Sequence, residues 1–471
     1  MDPWFYREGS NCDGRAEFVL SSVEALGREY RSIGGSLSIL HGESVERLKG
    51  LSEQLGEDVY YNRSVNAGYP KERDARAEEA GFVGVADDGI VREGDPRDGW
   101  SERVEDWFGS KTYEPPESIS PRRIEGDISI DEAREEYGIE PQKPVPEAGE
   151  TVAVRRLEEF LDSIEEYPSS ISPPRRAEDG GTSHLSPHFS VGSLSLRKAY
   201  QRATRKASQA GTDEGAVEMF TERLFWNRHF TQKLQDNPSL PHESVNPVYR
   251  RMNRNSHEEE LVEAWKKGET GYPLVDASMR ALTRKGWLNF RSRAMVASFF
   301  VYILKQPWWV GADHMRRHLI DGDTAINYAQ WQMQAGLVGV HPNRIYNPTK
   351  QARENDPEGR YIRRYVPELR DVPKEHLAEP WKMPEEVQRG SGVRVGAEYP
   401  EPVVEFDEER RRAREAYSDL ADRAREALSD PEVYRRASLS QRGDRDELTE
   451  TSYPEPEQKD EQTSLSRFGD G

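Results

Sequence analysis

The stretch Asp321-Gly-Asp-Thr-Ala-Ile-Asn-Tyr-Ala-Gln-Trp331 gathers side chains that can do chemistry. Asp321-Gly322-Asp323 reads as a turn leading into a helix. Asp323, Asn327 and Trp331 then recur at i, i+4 and i+8, so they share one helical face. At a rise of roughly 1.5 Å per residue they span about 12 Å. A carboxylate, an amide and an indole in that row can hold a ribose hydroxyl, a flavin ring edge and an electron donor. Taken singly, the same residues read equally well as a cap, a surface amide and a core tryptophan. A second candidate is Gly180-Gly-Thr-Ser-His-Leu-Ser186, just before a helix opened by Pro187. Two glycines let the backbone approach an anion, Thr182, Ser183 and Ser186 offer hydroxyls, and a helix start adds free N–H groups, as a pyrophosphate cradle requires. Gly-Thr-Ser before a helix is also an ordinary N-cap. Six of the ten tryptophans fall between Trp226 and Trp331. That density suits packing on a planar cofactor, a nucleobase or an electron relay, with a tryptophan-rich core as the equal alternative.

These segments need elements to hold them, and 471 residues allow two or three domains. Residues 1–92 read as a small α/β unit: a strand at Ser36–Leu40, a helical stretch to about Leu55, a strand at Val59–Tyr61, a helix from near Pro70 and a strand near Ile90. Strands alternating with helices predict a doubly wound parallel sheet. No apolar strand stands ahead of Met1-Asp-Pro-Trp4, although such sheets are usually built around their first strand. An additional strand and helix upstream are therefore expected. Residues 93–150 are rich in Pro, Glu and Asp and read as a linker. From Val152 the spacing of Val154, Leu157, Phe160, Leu161 and Ile164 predicts a helix, and helical segments continue to about Leu377, one of them the apolar run Ala294–Leu304. Residues 391–471 turn acidic and polar; Glu405–Ala427 is rich in charged helix formers, and the remainder is expected to be disordered.

The charge narrows the function. The chain carries a net −20, and only 15 of its 66 basic residues are lysines. Acid-rich, lysine-poor and lean in large apolar residues, it resembles the surface of a protein from a salt-loving organism. Residues 183–389 nevertheless carry a net +7, the footprint expected where a polyanion docks. No apolar stretch approaches a membrane span, and no charged-then-apolar leader opens the chain, which predicts a soluble, cytoplasmic protein. The single Cys12 excludes a disulfide scaffold or thiolate cluster. The histidines lack metal-ligand spacing, so no metal is expected.

Together these pieces resemble the flavin-binding domain of the cryptochrome/photolyase family. The matching segments stand in the family's order from about Gly181 to Pro380: Gly181-Thr-Ser-His-Leu-Ser-Pro187, Gly271-Tyr-Pro-Leu-Val-Asp-Ala277, Gly286-Trp-Leu-Asn-Phe-Arg-Ser-Arg293, Asp321-Gly-Asp…Asn327…Trp331, and Arg344-Ile-Tyr-Asn-Pro…Arg363-Arg-Tyr-Val-Pro-Glu-Leu369. The resemblance implies an incomplete α/β, Rossmann-like unit of antenna type over residues 1–92, a linker over 93–150, an all-α FAD-binding domain over 151–390 and a charged tail over 391–471. It implies a U-shaped FAD, with the antenna chromophore unnamed. Thr182, Ser183, Leu185 and Ser186 would take the pyrophosphate, with Tyr167 covering it. Asp321 and Gly322 would face the flavin, Asp321 paired with Arg293, and Asp323 would hold the ribose. Asn327 falls where the family faces the flavin's reactive ring nitrogen; an amide there resembles photolyases, whereas plant cryptochromes usually have Asp.

Trp331 and Trp308 fall on the family's proximal and middle relay positions. The distal position is Asn255, which cannot relay an electron; Trp309 or a nearby Tyr is the expected substitute. Trp226 stands where photolyases stack a flipped pyrimidine dimer, and Arg291 matches their DNA-facing arginine. The pocket departs from the family at Arg223 (usually acidic), Phe290 (usually Asn), Ala294 (usually Met) and Met333 (usually Trp). The implied function is light-driven repair of UV-damaged DNA by electron transfer from reduced FAD, a carbon–carbon lyase reaction, in a monomer that binds DNA through Arg223, Trp226 and Arg291. The alternative is a blue-light photoreceptor without repair.

Overall fold

The apolar spacing that predicts a helix from Val152 is realised as the helix Glu150–Asp162, which buries Ala153, Leu157, Phe160 and Leu161. The structure, a computed structural model, describes residues 1–7, 12–120, 124–340 and 343–438. Its C-terminal two-thirds is helical. The long helix Glu214–Asp236 lies against Leu196–Ala207 on one side and Thr324–Gln334 on the other. The Trp308–His318 helix joins that last helix through the Leu319–Asp323 turn. The apolar run predicted at Ala294–Leu304 is the end of the Phe290–Ser298 helix continued by one wide turn, Phe299–Ile303, and every residue of that turn is buried. With Trp265, Trp331 and Tyr361 it belongs to one apolar core that extends from Tyr249 to Ala424. A second core joins helices Trp100–Gly109, Glu150–Asp162, Leu196–Ala207 and Glu214–Asp236 through Phe108, Leu157, Phe160, Leu185 and Phe220.

The N-terminal third differs from the expected doubly wound sheet. Among the described residues the sheet has two strands, β1 (Tyr60–Asn62) and β2 (Val83–Val85), paired in parallel with Tyr61 opposite Gly84. The helix Tyr69–Glu79 connects them, so one β-α-β unit is present. Ser36–Leu40 is extended but joins no ladder. Its Ile39 carbonyl instead accepts from Asp127 N–H at 3.0 Å, in an irregular segment, and just ahead of it Ile33 O accepts from Ile119 N–H at 2.8 Å. The strand expected near Ile90 is also absent, because a buried side chain takes its place. Gln232 accepts from Val91 N–H at 2.8 Å and donates to Val91 O at 2.9 Å. An amide that satisfies both backbone groups of Val91 replaces a neighbouring strand.

Two further readings are corrected. Residues 93–150 carry the helices Trp100–Gly109 and Ile130–Tyr137. The first buries Trp100, Val104 and Phe108, a helical apolar stripe that the surrounding Pro and acidic residues mask. Beyond residue 391, the helices Phe406–Ala427 and Pro431–Ala437 pack onto the body through a narrow stripe of Phe406, Ala413, Tyr417, Ala421 and Ala424. Tyr417 donates to Ala335 O at 2.7 Å, and Asn246 donates to Ala424 O at 3.0 Å. The helix formers of Glu405–Ala427 thus do form a helix, the disorder expected for the rest of the tail is corrected up to residue 438, and residues 439–471 lie outside the described residues. The helix Asp13–Ser32, which the sequence reading passed over, packs Phe18 edge-on to His188 at 5.3 Å. No described helix is long and apolar enough to cross a membrane.

Candidate functional site

The turn between Trp308–His318 and Thr324–Gln334 sets the centre of the site. Asp323 is the N-cap of the second helix; its Oδ1 accepts from Ile326 N–H at 2.8 Å. That bond fixes the helix start and leaves the other carboxylate oxygen for a ligand. Asp321 is buried, and both its oxygens accept from Arg293 Nη2, at 2.8 and 3.1 Å. Arg293 is itself aimed by donating from Nε to Leu288 O at 2.8 Å. Gly322 has no side chain because Arg15, from the Asp13–Ser32 helix, lies against it. Arg15 donates to the carbonyls of Arg316 and Leu319. Burial pulls the Arg15 guanidinium down to about 10, with Asp321 and Asp323 acting in the opposite direction.

One turn further on, Asn327 is buried and donates from Nδ2 to Ala312 O at 3.0 Å. This leaves the amide oxygen as the end that can meet a ligand. Trp331 follows on the same face, 2% exposed, and its indole N–H is buried without a hydrogen-bond partner. Its ring neighbours are Trp265, with centroids 6.1 Å apart, and Phe300, 6.0 Å apart. Gly311 is required here, since a Cβ at that position would collide with the Trp331 ring. The ring neighbours of Trp308 are Trp309 and Tyr328, each 6.3 Å away. Asn255 is exposed.

The Gly180–Ser186 segment faces this turn. Thr182 Oγ1 donates to Ala177 O at 3.0 Å, Leu185 is fully buried, and Ser183 and Ser186 are half-buried. Gly181 is needed because a Cβ there would overlap the Ser170 side chain and the Arg176 carbonyl. His184 takes the left-handed conformation at φ 49° and lies against Trp287 at 4.5 Å. Its Nε2 is buried and unbonded. Burial lowers the pKa of His184, Arg156 adds to the effect, and Asp321 opposes it. The field of Asp321 thus reaches His184, which joins the two loops into one locus. Tyr167 lies behind the cradle between Phe160 and Phe220, at 5.2 and 6.4 Å. Burial pushes its phenol up, against the pull of Arg223.

Arg223 is half-buried, 3.9 Å from Glu222. Trp226 is half-buried and shares an apolar cluster with Ile326 and Met333, so its ring belongs to the wall beside the Asn327 helix. Arg291 sits over the Tyr346 ring at 5.8 Å, next to Phe290, which is 41% exposed. Three residues at the site were missed by sequence reasoning. Arg15 lies some 300 positions from the turn it braces, which no local pattern can reveal. Half-buried Arg228 has its pKa lowered by desolvation while Asp323 and Asp88 offset it. Trp265 was counted in the tryptophan cluster, but nothing in its spacing marks it as a neighbour of Trp331.

The residues fit a flavin nucleotide. Two buried ring nitrogens without a hydrogen-bond partner are present, His184 Nε2 in the Gly180–Ser186 loop and Trp331 Nε1 on the Thr324–Gln334 helix. An ion-paired carboxylate and an oriented amide lie between them in sequence and on the same turn and helix.

Comparisons with known proteins agree with this locus. The family model described as the FAD binding domain of DNA photolyase matches residues 220–419. The chain is 31% identical to a deoxyribodipyrimidine photo-lyase of Halobacterium salinarum, over 84% of this chain and 86% of that one. It is 32% identical to the deoxyribodipyrimidine photo-lyase of Thermus thermophilus, over 86% and 89%. Its fold matches the crystal structure of a bacterial class III photolyase from Agrobacterium tumefaciens with a TM-score of 0.76 and 25% identity, covering 87% of this chain and 89% of that one. With its braced Asp321–Asp323 turn, its oriented Asn327 and full-length relatives at this identity, the chain belongs to the photolyase/cryptochrome family and carries that family's FAD-binding domain.

Proposed function

We propose that this protein is a light-driven DNA lyase that splits pyrimidine dimers. The observation that carries the reading is the single face formed by Asp323, Asn327 and Trp331, locked to the buried Arg293–Asp321 pair. Thr182, Ser183, Leu185 and Ser186 would hold the pyrophosphate, Asp323 the ribose, and Asp321 and Asn327 the flavin ring, with Tyr167 and Gly322 closing the cradle. Bound FAD, when reduced and lit, supplies the electron that opens the dimer. Arg293 pairs with Asp321 in a buried place, where an unpaired carboxylate would be costly. Asn327 presents a neutral amide, which accommodates negative charge on its neighbour without adding to it. Trp331 and Trp308 return electrons to an oxidised cofactor. Arg223, Trp226 and Arg291 meet the damaged strand.

The wall formed by Trp226, Ile326 and Met333 is apolar. It supports one aromatic stack instead of two, and each lost stack weakens binding by about 1–3 kcal/mol. Dimer affinity is therefore lower than a two-tryptophan pocket would give. The β1–helix–β2 unit is read as part of an antenna domain, and the acid-rich, lysine-poor surface as that of a monomeric, cytoplasmic protein from a saline host. The deciding experiment is the action spectrum of thymine-dimer repair by the purified protein at high salt. Yellow protein with non-covalent FAD near unit stoichiometry and repair that follows flavin absorption is expected. A colourless protein that rejects FAD on reconstitution would overturn the reading. FAD-loaded protein that binds light but repairs nothing would make it a photoreceptor.

A further inference from the structure

The relay inferred above has a gap at its outer end, since its distal position is the exposed Asn255. Three aromatic rings can take a positive hole onward from the two relay tryptophans. Trp265 touches Trp331 but leads inward: it is fully buried, its indole N–H donates to Val296 O at 3.2 Å, and its nearest ring, Phe300 at 4.5 Å, is fully buried as well, with half-buried His314 beyond at 5.6 Å. A hole placed there reaches no reductant. Trp309 and Tyr328 both contact Trp308 edge-on with centroids 6.3 Å apart. They differ in what holds the proton. The Tyr328 hydroxyl donates to Asp313 Oδ1 at 2.5 Å, a charge-assisted bond of the short, strong kind.

That bond decides between them. A phenol stripped of an electron alone becomes a strongly acidic radical cation, so a base already in contact is what makes its oxidation accessible. We propose that Tyr328, with Asp313 as its proton acceptor, is the terminal electron donor of this chain's relay. The proposal rests on the relay reading for Trp331 and Trp308. An electron leaves Trp331 for the photoexcited oxidised cofactor, and Trp308 refills Trp331. Tyr328 then gives one electron to the Trp308 radical cation while its hydroxyl proton moves to the Asp313 carboxylate. The products are neutral Trp308, a neutral tyrosyl radical and a protonated Asp313. A thiol in solution later supplies one electron to the tyrosyl, Asp313 returns the proton, and the thiol's own proton goes to water.

Two features suit this role. Burial, and then the bond to Asp313, hold the Tyr328 phenol well above its ordinary range, so in the dark it keeps its proton. Asp313 is half-buried, which gives solvent a route to the pair. Tyr328 is also adjacent to Asn327 in the chain, so its position is fixed by the helix that forms the site.

The test is flash illumination of the FAD-loaded, oxidised full chain, read by electron paramagnetic resonance and transient absorption for radical identity. A tyrosyl radical that grows as the tryptophan radical decays is expected. Tyr328→Phe should lose the tyrosyl signal and leave a tryptophan radical that outlives the one in the parent, where Tyr328 quenches it. Asp313→Asn should do the same with the tyrosine still present, and Asp313→Glu should restore the signal. A tyrosyl signal that persists in Tyr328→Phe, or one that is lost instead in Trp309→Phe, would overturn the proposal. Trp331→Phe separates the two levels. If photoreduction is undiminished in it, the relay reading itself fails. If photoreduction stops there but Tyr328→Phe changes nothing, the relay stands and the tyrosine does not belong to it. Protein that takes up no FAD overturns the function and this inference together.

Discussion

Each site residue does two jobs, and the structural one is visible first. Asp323 caps a helix, Asn327 ties Thr324–Gln334 to Trp308–His318, and Asp321 neutralises Arg293. The sequence offered those plain roles beside the chemical ones, and the structure leaves room for both at Asp323 and Asn327, whose bonds each leave one oxygen uncommitted, whereas Asp321 gives both oxygens to Arg293. Trp331 is different: its indole nitrogen is buried with no partner, at a cost of about 1–3 kcal/mol for such a group. Electron transfer falls steeply with distance, and Trp331 alone of the tryptophans lies on the Asp323/Asn327 face. Trp331→Phe is therefore expected to slow photoreduction of oxidised FAD far more than Trp309→Phe. Repair started from already reduced FAD should survive the change, because that route needs no relay. Equal rates in the two variants, measured by flavin bleaching under blue light, would place the relay elsewhere.

At the scale of elements, the helix Asp13–Ser32 is the brace that joins the N-terminal third to the site. Arg15 grips the end of Trp308–His318, where a cation also meets the favourable end of the helix dipole. Lys143 donates to His318 O at 2.9 Å beside it. Phe18 completes the brace by resting on His188, whose Nδ1 is bonded to Ser193 Oγ at 3.1 Å. Burial, and then Arg156, push His188 down to about 4, from an ordinary value of 6.5. The unfolded chain takes up this proton below pH 6.5 and the folded one only near pH 4. The stability that neutral His188 contributes is thus complete above pH 6.5 and lost as pH falls toward 4, at about 1.4 kcal/mol per unit of depression. Urea unfolding midpoints should drop over that window in the parent protein. In His188→Gln the drop should be shallower; an unchanged slope would show that His188 is not the sensor. His314, pushed lower still by burial and His318, stays neutral over most of the same range.

At the scale of the whole molecule, a chain of net −20 must still hold DNA. The proposed means is segregation: the +7 block of residues 183–389 contains most of the cradle, the turn and the proposed DNA-facing arginines. Counterion release makes such binding salt-dependent, with a slope of about −0.9 per phosphate neutralised. Arg291→Ala should weaken binding to undamaged and damaged duplexes alike and reduce the salt slope by about 1. Trp226→Ala should instead weaken binding to damaged DNA selectively. Fluorescence titrations at several salt concentrations check both, and a slope unaltered by Arg291→Ala would remove that residue from the interface.

Sequence alone determined the local features of this protein. The helical periods, the Asp323 cap, the shared face of Asp323, Asn327 and Trp331, and the Arg293–Asp321 pairing implied by the family likeness were all legible, because each depends on side-chain spacing within one segment or on a strongly marked motif. The packed helix at Trp100 and the helix Pro431–Ala437 were hidden, as was the packing of the charged helix at Glu405–Ala427, since their buried stripes are narrow and set in charged sequence. What only the tertiary structure decided is everything that joins distant segments: Gln232 standing in for a strand at Val91, Arg15 against Gly322, Trp265 beside Trp331, and Asp313 bonded to Tyr328. Those contacts depend on how helices cross, and burial makes them matter, yet no spacing along the chain records which surfaces will meet.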